Sequence, residues 1–140
     1  MKPILPCVVV AIVALLPACA TQPKEPPPKP FALTRWEVRF DKPPAGEKPW
    51  IRFADGRMEG FGGCNRIAAR YVQDSVGAHA IAIGRIETGR HACDRSVQMV
   101  EDGWLSVLQM VSSYSITGGL MTMTGSAGTV SFHAAGEGGK

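Results

Sequence analysis

Two of the four cysteines, three scattered histidines and a small set of charged residues are what this chain offers to chemistry. Cys64 and Cys93 come first. A cysteine nucleophile needs a lowered thiol pKa and a base beside it. His91 stands two residues from Cys93, but near neighbours on a strand or loop point apart as often as together. Two lone cysteines without a spacing motif do not make a zinc site, and His79, His91 and His133 fall into no zinc spacing either. Met99, Met110, Met121 and Met123 read as core filler rather than a copper site. No Gly-x-Ser-x-Gly, Walker loop or close carboxylate pair is present. The glycine-rich stretches at 60–63 and 118–119 lack the strand-to-helix context of a phosphate loop. The residues predict no enzyme, no cofactor and no metal.

The polar and charged residues near the cysteines have structural readings first, with an interaction surface made of Asn65, Arg66, Arg90 and Glu101 as the alternative. Asn65 follows a glycine pair, so it is expected in a left-handed backbone position or bonded to a neighbouring loop. Arg66, Arg70 and Arg90 are candidates for a small basic patch beside the cysteines, by default a solvated face, otherwise an anion or partner contact. Glu101 sits next to an apolar helical stripe. If buried there it needs a partner, and Arg66 or Arg90 is the expected one.

How the cysteines behave depends on compartment, and the first residues speak to that. Lys2 is a small positive start, and Ile4 to Leu16 is almost purely apolar. Leu16-Pro17-Ala18-Cys19 then resembles a lipobox. The apolar run is shorter than the roughly 20 residues that span a bilayer. Residues 1–18 therefore read as a lipoprotein signal peptide, with lipid attached at Cys19. Ala20, where aspartate would signal inner-membrane retention, points to the outer membrane, with the domain facing the periplasm. In that oxidising space Cys64 and Cys93 are expected to form a disulfide. It closes a loop of about 30 residues, worth about 3–4 kcal/mol in the chain-entropy model. Two buried free thiols are the rival reading.

Residues 19–31 carry the lipid and a proline-rich tether, ATQPKEPPPKP over 20–30. As polyproline II it reaches up to about 30 Å; a docking ligand is the other use of such a stretch. Residues 32–134 are the single globular domain and 135–140 a flexible tail. Formal charge is +3, or +2 once Lys2 is removed, with signs mixed along the chain. No clustered basic stripe suggests nucleic acid.

Within the domain, Trp36, Val38 and Phe40 alternate as on a half-buried strand. Trp50 to Phe53 is a second strand, and Asp55-Gly56 turns it into Arg57–Phe61 running back antiparallel. Gly60, Gly62 and Gly63 mark a bulge or a close backbone approach. Ile67–Gln73 and His79–Gly84 are further strands. From about Arg95, the residues Val97, Val100, Trp104, Leu105, Leu108 and Val111 follow helical spacing. Asp94 or Ser96 is the expected N-cap, and a close packing contact is expected at Gly103. Tyr114–Thr117, Leu120–Thr124 and Thr129–His133 return to strands. Without βαβ alternation the fold class is α+β, mostly β: a strongly curved antiparallel sheet, half-barrel-like, packed around one main helix.

Gly60-Phe61-Gly62-Gly63-Cys64-Asn65-Arg66 with Tyr71 is distinctive, as is Thr88-Gly89-Arg90-His91-Ala92-Cys93 with Glu101, Trp104, Leu105 and Leu108. With Leu33-Thr34-x-Trp36 before them and Tyr114-x-Ile116-x-Gly118-x-Leu120 after, the chain resembles a META domain of the HslJ-like family. It departs at Ile67, where an aromatic is usual, at Ala69, where glycine is, at His91, where methionine is common, and at Gly89, often threonine or serine. The resemblance implies a small β-rich envelope lipoprotein linked to heat shock or antibiotic tolerance, without an accepted enzymatic activity. The function expected is a non-enzymatic accessory protein acting on an unknown envelope protein partner. A lysozyme-type hydrolase inhibitor and a small-ligand carrier on the concave sheet are the alternatives.

Overall fold

A computed structural model describes residues 27–74 and 79–136. Cys19, the signal segment and most of the tether lie outside the described residues. Nine strands and one helix make up the rest: β1 (Trp36–Val38), β2 (Trp50–Ala54), β3 (Arg57–Phe61), β4 (Arg66–Gln73), β5 (Ile81–Ile83), β6 (Glu87–Thr88), α1 (Arg95–Gln109), β7 (Val111–Thr117), β8 (Leu120–Gly125) and β9 (Gly128–Ala134).

All pairings are antiparallel, and the sheet runs β5-β4-β3-β2-β1-β9-β8-β7, with β6 on β4. The β2–β3 hairpin turns at Asp55 and Gly56, whose φ angles of 49° and 72° match the right-handed twist of the flanking strands. The sheet curls until its two ends nearly meet. Ala80 bridges Ser113, and the Tyr114 N–H donates to the His79 carbonyl at 3.0 Å. The result is a nearly closed half-barrel.

Alternation along the strands fills its inside. Trp36, Ile51, Phe53, Met58, Met121 and Phe132 are fully buried. Of the four methionines read as core, Met121 and Met123 are buried, whereas Met99 and Met110 are 65% and 51% exposed. Phe31, at the end of the sequence-defined tether, stacks on Phe53 and lies against Tyr71 and Tyr114. The Lys29 N–H donates to the Gly118 carbonyl at 2.8 Å. The chain therefore joins the folded body before residue 32. At the other end, Ala134 is a buried strand residue paired with Trp36.

Helix α1 buries Glu101, Trp104, Leu105 and Leu108. It begins after Asp94, whose side chain makes no capping bond; the Asp94 carbonyl accepts from Val97 and Gln98. The helical stripe read through Val111 stops sooner. Met110 closes the last turn on Val107, and Val111 opens β7 opposite Gly125. Val111 is buried either way, so periodicity does not mark the boundary. Gly103 is exposed, and a Cβ there would meet nothing within 4 Å. No packing contact explains it.

Candidate functional site

The motif residues meet where the β3–β4 connection, the segment before α1 and the helix itself come together. The connection is a tight turn: the Gly62 N–H donates to the Asn65 carbonyl at 2.8 Å, and Gly63 takes φ +118°. The left-handed residue is thus Gly63, not Asn65. The turn points its next two N–H groups into the domain, where strand partners are out of reach. A buried N–H must find an acceptor.

Glu101 supplies it. Its Oε2 accepts from the Cys64 N–H at 2.8 Å and the Asn65 N–H at 2.7 Å, and Oε1 accepts from the Asn65 side-chain amide at 2.9 Å. Glu101 is 4% exposed. Its partners are therefore three N–H donors and not Arg66 or Arg90; the expected ion pair is absent. Donors aimed at a carboxylate meet the need of a buried charge as an opposite charge would. Gly62 must be glycine here, because a Cβ would run into the Glu101 carboxylate.

Asn65 completes the junction. It is 7% exposed, and its Oδ1 accepts from the His91 N–H at 2.7 Å, so it does bond a neighbouring loop. The Gly89 N–H donates to the Arg66 carbonyl at 3.0 Å. A Cβ at Gly89 would sit 3.0 Å from Asn65 Oδ1, a tight approach. Cys64 and Cys93 are joined as a disulfide, with Cα atoms 5.9 Å apart. Trp104, one turn along from Glu101, donates its indole N–H to the Gly62 carbonyl at 2.8 Å and meets Phe132 edge-on.

The arginines face outward. Arg66 lies 5.9 Å from the Trp50 ring, over which Arg35 sits at 4.4 Å. Arg90 is exposed and enters no ion pair among the described residues. His91 is exposed too, and the thiol it stood near is held in the disulfide. Among the described residues no three His, Cys, Asp or Glu side chains converge to hold a metal. No buried side-chain nitrogen or oxygen among them lacks a partner. The motif is thus a brace: it fixes one turn to one helix and one loop, with both thiols and the Glu101 carboxylate taken up in holding them.

Sequence reasoning missed Gln109. Its amide nitrogen donates to the Ile83 and Gly84 carbonyls at 3.0 and 2.9 Å, and its oxygen accepts from the Ile86 N–H at 3.0 Å. A glutamine at a helix end carries no motif that would have flagged it. An outward hollow of about 380 Å³ lies between β1, β9 and α1, lined by Val38, Phe40, Trp104, Val107 and Val130. The concave face of the sheet, by contrast, is occupied by core side chains.

The sequence model of the META domain family matches residues 29–137. No curated protein matches the chain. An NMR structure of a protein from Burkholderia xenovorans is similar in fold, with a TM-score of 0.61 at 17% identity over 76% of this chain and 85% of the other. A second NMR structure gives a TM-score of 0.57 at 17% identity, over 73% and 89%.

Proposed function

Because the chain belongs to the META domain family, we propose that it serves the bacterial envelope as a non-enzymatic accessory protein. It acts by protein–protein contact and supports stress tolerance. Lipid on Cys19 holds it at the outer membrane, and the domain faces the periplasm. The observation that carries this reading is the closure of the motif on itself. Both thiols are in the disulfide, and the Glu101 carboxylate is held by three N–H donors. With its chemistry-bearing residues bound inward, the domain has its outer surface left to work with. An anchor would raise its effective concentration near envelope partners without any new contact.

The test is crosslinking of the full chain in the cell at native abundance, followed by mass spectrometry. One reproducible envelope protein, lost when Cys19→Ala releases the chain from the membrane, is the expected outcome. Recovery of a hydrolase whose activity the domain blocks would convert the accessory role into inhibition. No partner at all would overturn the reading.

A further inference from the structure

Strand β4 has two short partners on its outer edge, and a gap lies between them. β5 pairs with Tyr71, Val72 and Gln73, and β6 pairs with Ile67 and Ala68. The chain between them, 84–86, leaves the ladder after the Gly84 N–H donates to the Arg70 carbonyl at 2.8 Å. This opens a hollow of about 420 Å³, lined by Arg57, Arg70, Arg85, Glu87 and the small residues Ala68 and Gly84.

Its charge is uncompensated. Arg57 and Arg70 are register partners directly opposite each other on β3 and β4. Like charges so placed destabilise a sheet. Arg57, Arg70 and Arg85 are all exposed, and none has an ion-pair partner among the described residues. Elsewhere on the sheet the same chemistry is neutralised, as by Arg52 on Glu59 at 2.9 Å. The hollow is also held in shape. Gln109 reaches from α1 and fixes the loop carrying Arg85 by bonds to Ile83, Gly84 and Ile86.

We propose that this gap in the β4 edge, ringed by Arg57, Arg70 and Arg85, is a binding site for a phosphate group. A guanidinium presents a planar fork of donors that matches two oxygens at once. Three forks need more oxygens than the two of a carboxylate, and a tetrahedral phosphate supplies them. Glu87 leaves the ring at net +2, which balances a phosphate mono- or dianion. The small residues Ala68 and Gly84 leave room for it between the arginines. The phosphate can belong to a soluble ester or to a lipid headgroup.

The test uses the full chain in neutral-detergent micelles. Melting temperature and the arginine side-chain N–H resonances are followed during titration with inorganic phosphate and glycerol phosphate, and against chloride and acetate at matched ionic strength. A saturable rise in melting temperature with phosphate alone is expected, with shifts confined to the three arginines. Arg70→Gln should weaken binding at least tenfold while melting no lower than the parent in the absence of phosphate, since it removes a like-charge pair. Arg85→Gln, on the loop, should weaken binding without touching the sheet. Response only to micelles doped with phosphatidylglycerol, not phosphatidylcholine, would assign the phosphate to a headgroup. Equal stabilisation by acetate or chloride, or unchanged binding in both variants, would overturn the site.

Discussion

Glu101 shows how much one buried carboxylate can organise. It accepts two backbone N–H groups from a turn 36 and 37 residues away, and a side-chain amide besides. Glutamine has nearly the same shape but replaces one acceptor oxygen with a donor. Whichever way the amide is turned, an N–H then faces an N–H. A buried donor left unmatched costs about 1–3 kcal/mol. For a domain of this size each kcal/mol lowers the melting temperature by about 4–8 °C. Glu101→Gln should therefore melt several degrees below the parent, and unchanged melting in a thermal scan would contradict the three-donor arrangement. The sequence marked Glu101 as a buried charge but not its partners. Arginine is the expected partner because opposite charge is visible in a sequence, whereas a turn's free N–H groups belong to every residue type.

Elements were legible where local signals agreed. Asp55-Gly56 announced its hairpin because a primed turn demands those residues. The β1, β2 and β3 strands alternate cleanly because one face is inside the half-barrel and the other outside. β6 was not legible: at two residues it has no period, and only its position on β4 makes it a strand. The end of α1 was blurred because Val111 fits both the helical stripe and the first inward position of β7. Gly103, where a packing contact is expected, faces open space. Alanine there would add no clash and would remove the backbone freedom that glycine keeps in the unfolded chain. Gly103→Ala should raise stability by about 1 kcal/mol, seen as a higher denaturant midpoint at unchanged slope. Gly60 is the opposite case, since a Cβ there would strike the Trp50 carbonyl.

At the scale of the whole molecule, closure is uneven. Most neighbouring strands share a continuous ladder, but β5 and β7 do not: among the described residues the Ala80–Ser113 bridge, the Tyr114–His79 bond and the stacked rings of His79 and Tyr114 join the two ends. Phe31 covers this end of the half-barrel from the side where the tether arrives. The brace lies elsewhere, and its covalent part changes a different property. Glu101 must find Cys64 across 37 residues of chain. Through the Cys64–Cys93 bond the same two groups are only eight residues and one crosslink apart. Shortening the loop about fourfold lowers its closure entropy by about 1 kcal/mol. If that closure belongs to the rate-limiting step, the oxidised chain refolds about fivefold faster than the reduced one. Stopped-flow refolding with and without reductant reads this directly, and equal rates would mean that the turn docks after the barrier. The bond thus acts on the search as well as on the product: it is a shortcut along the chain, open only once the two thiols have been joined.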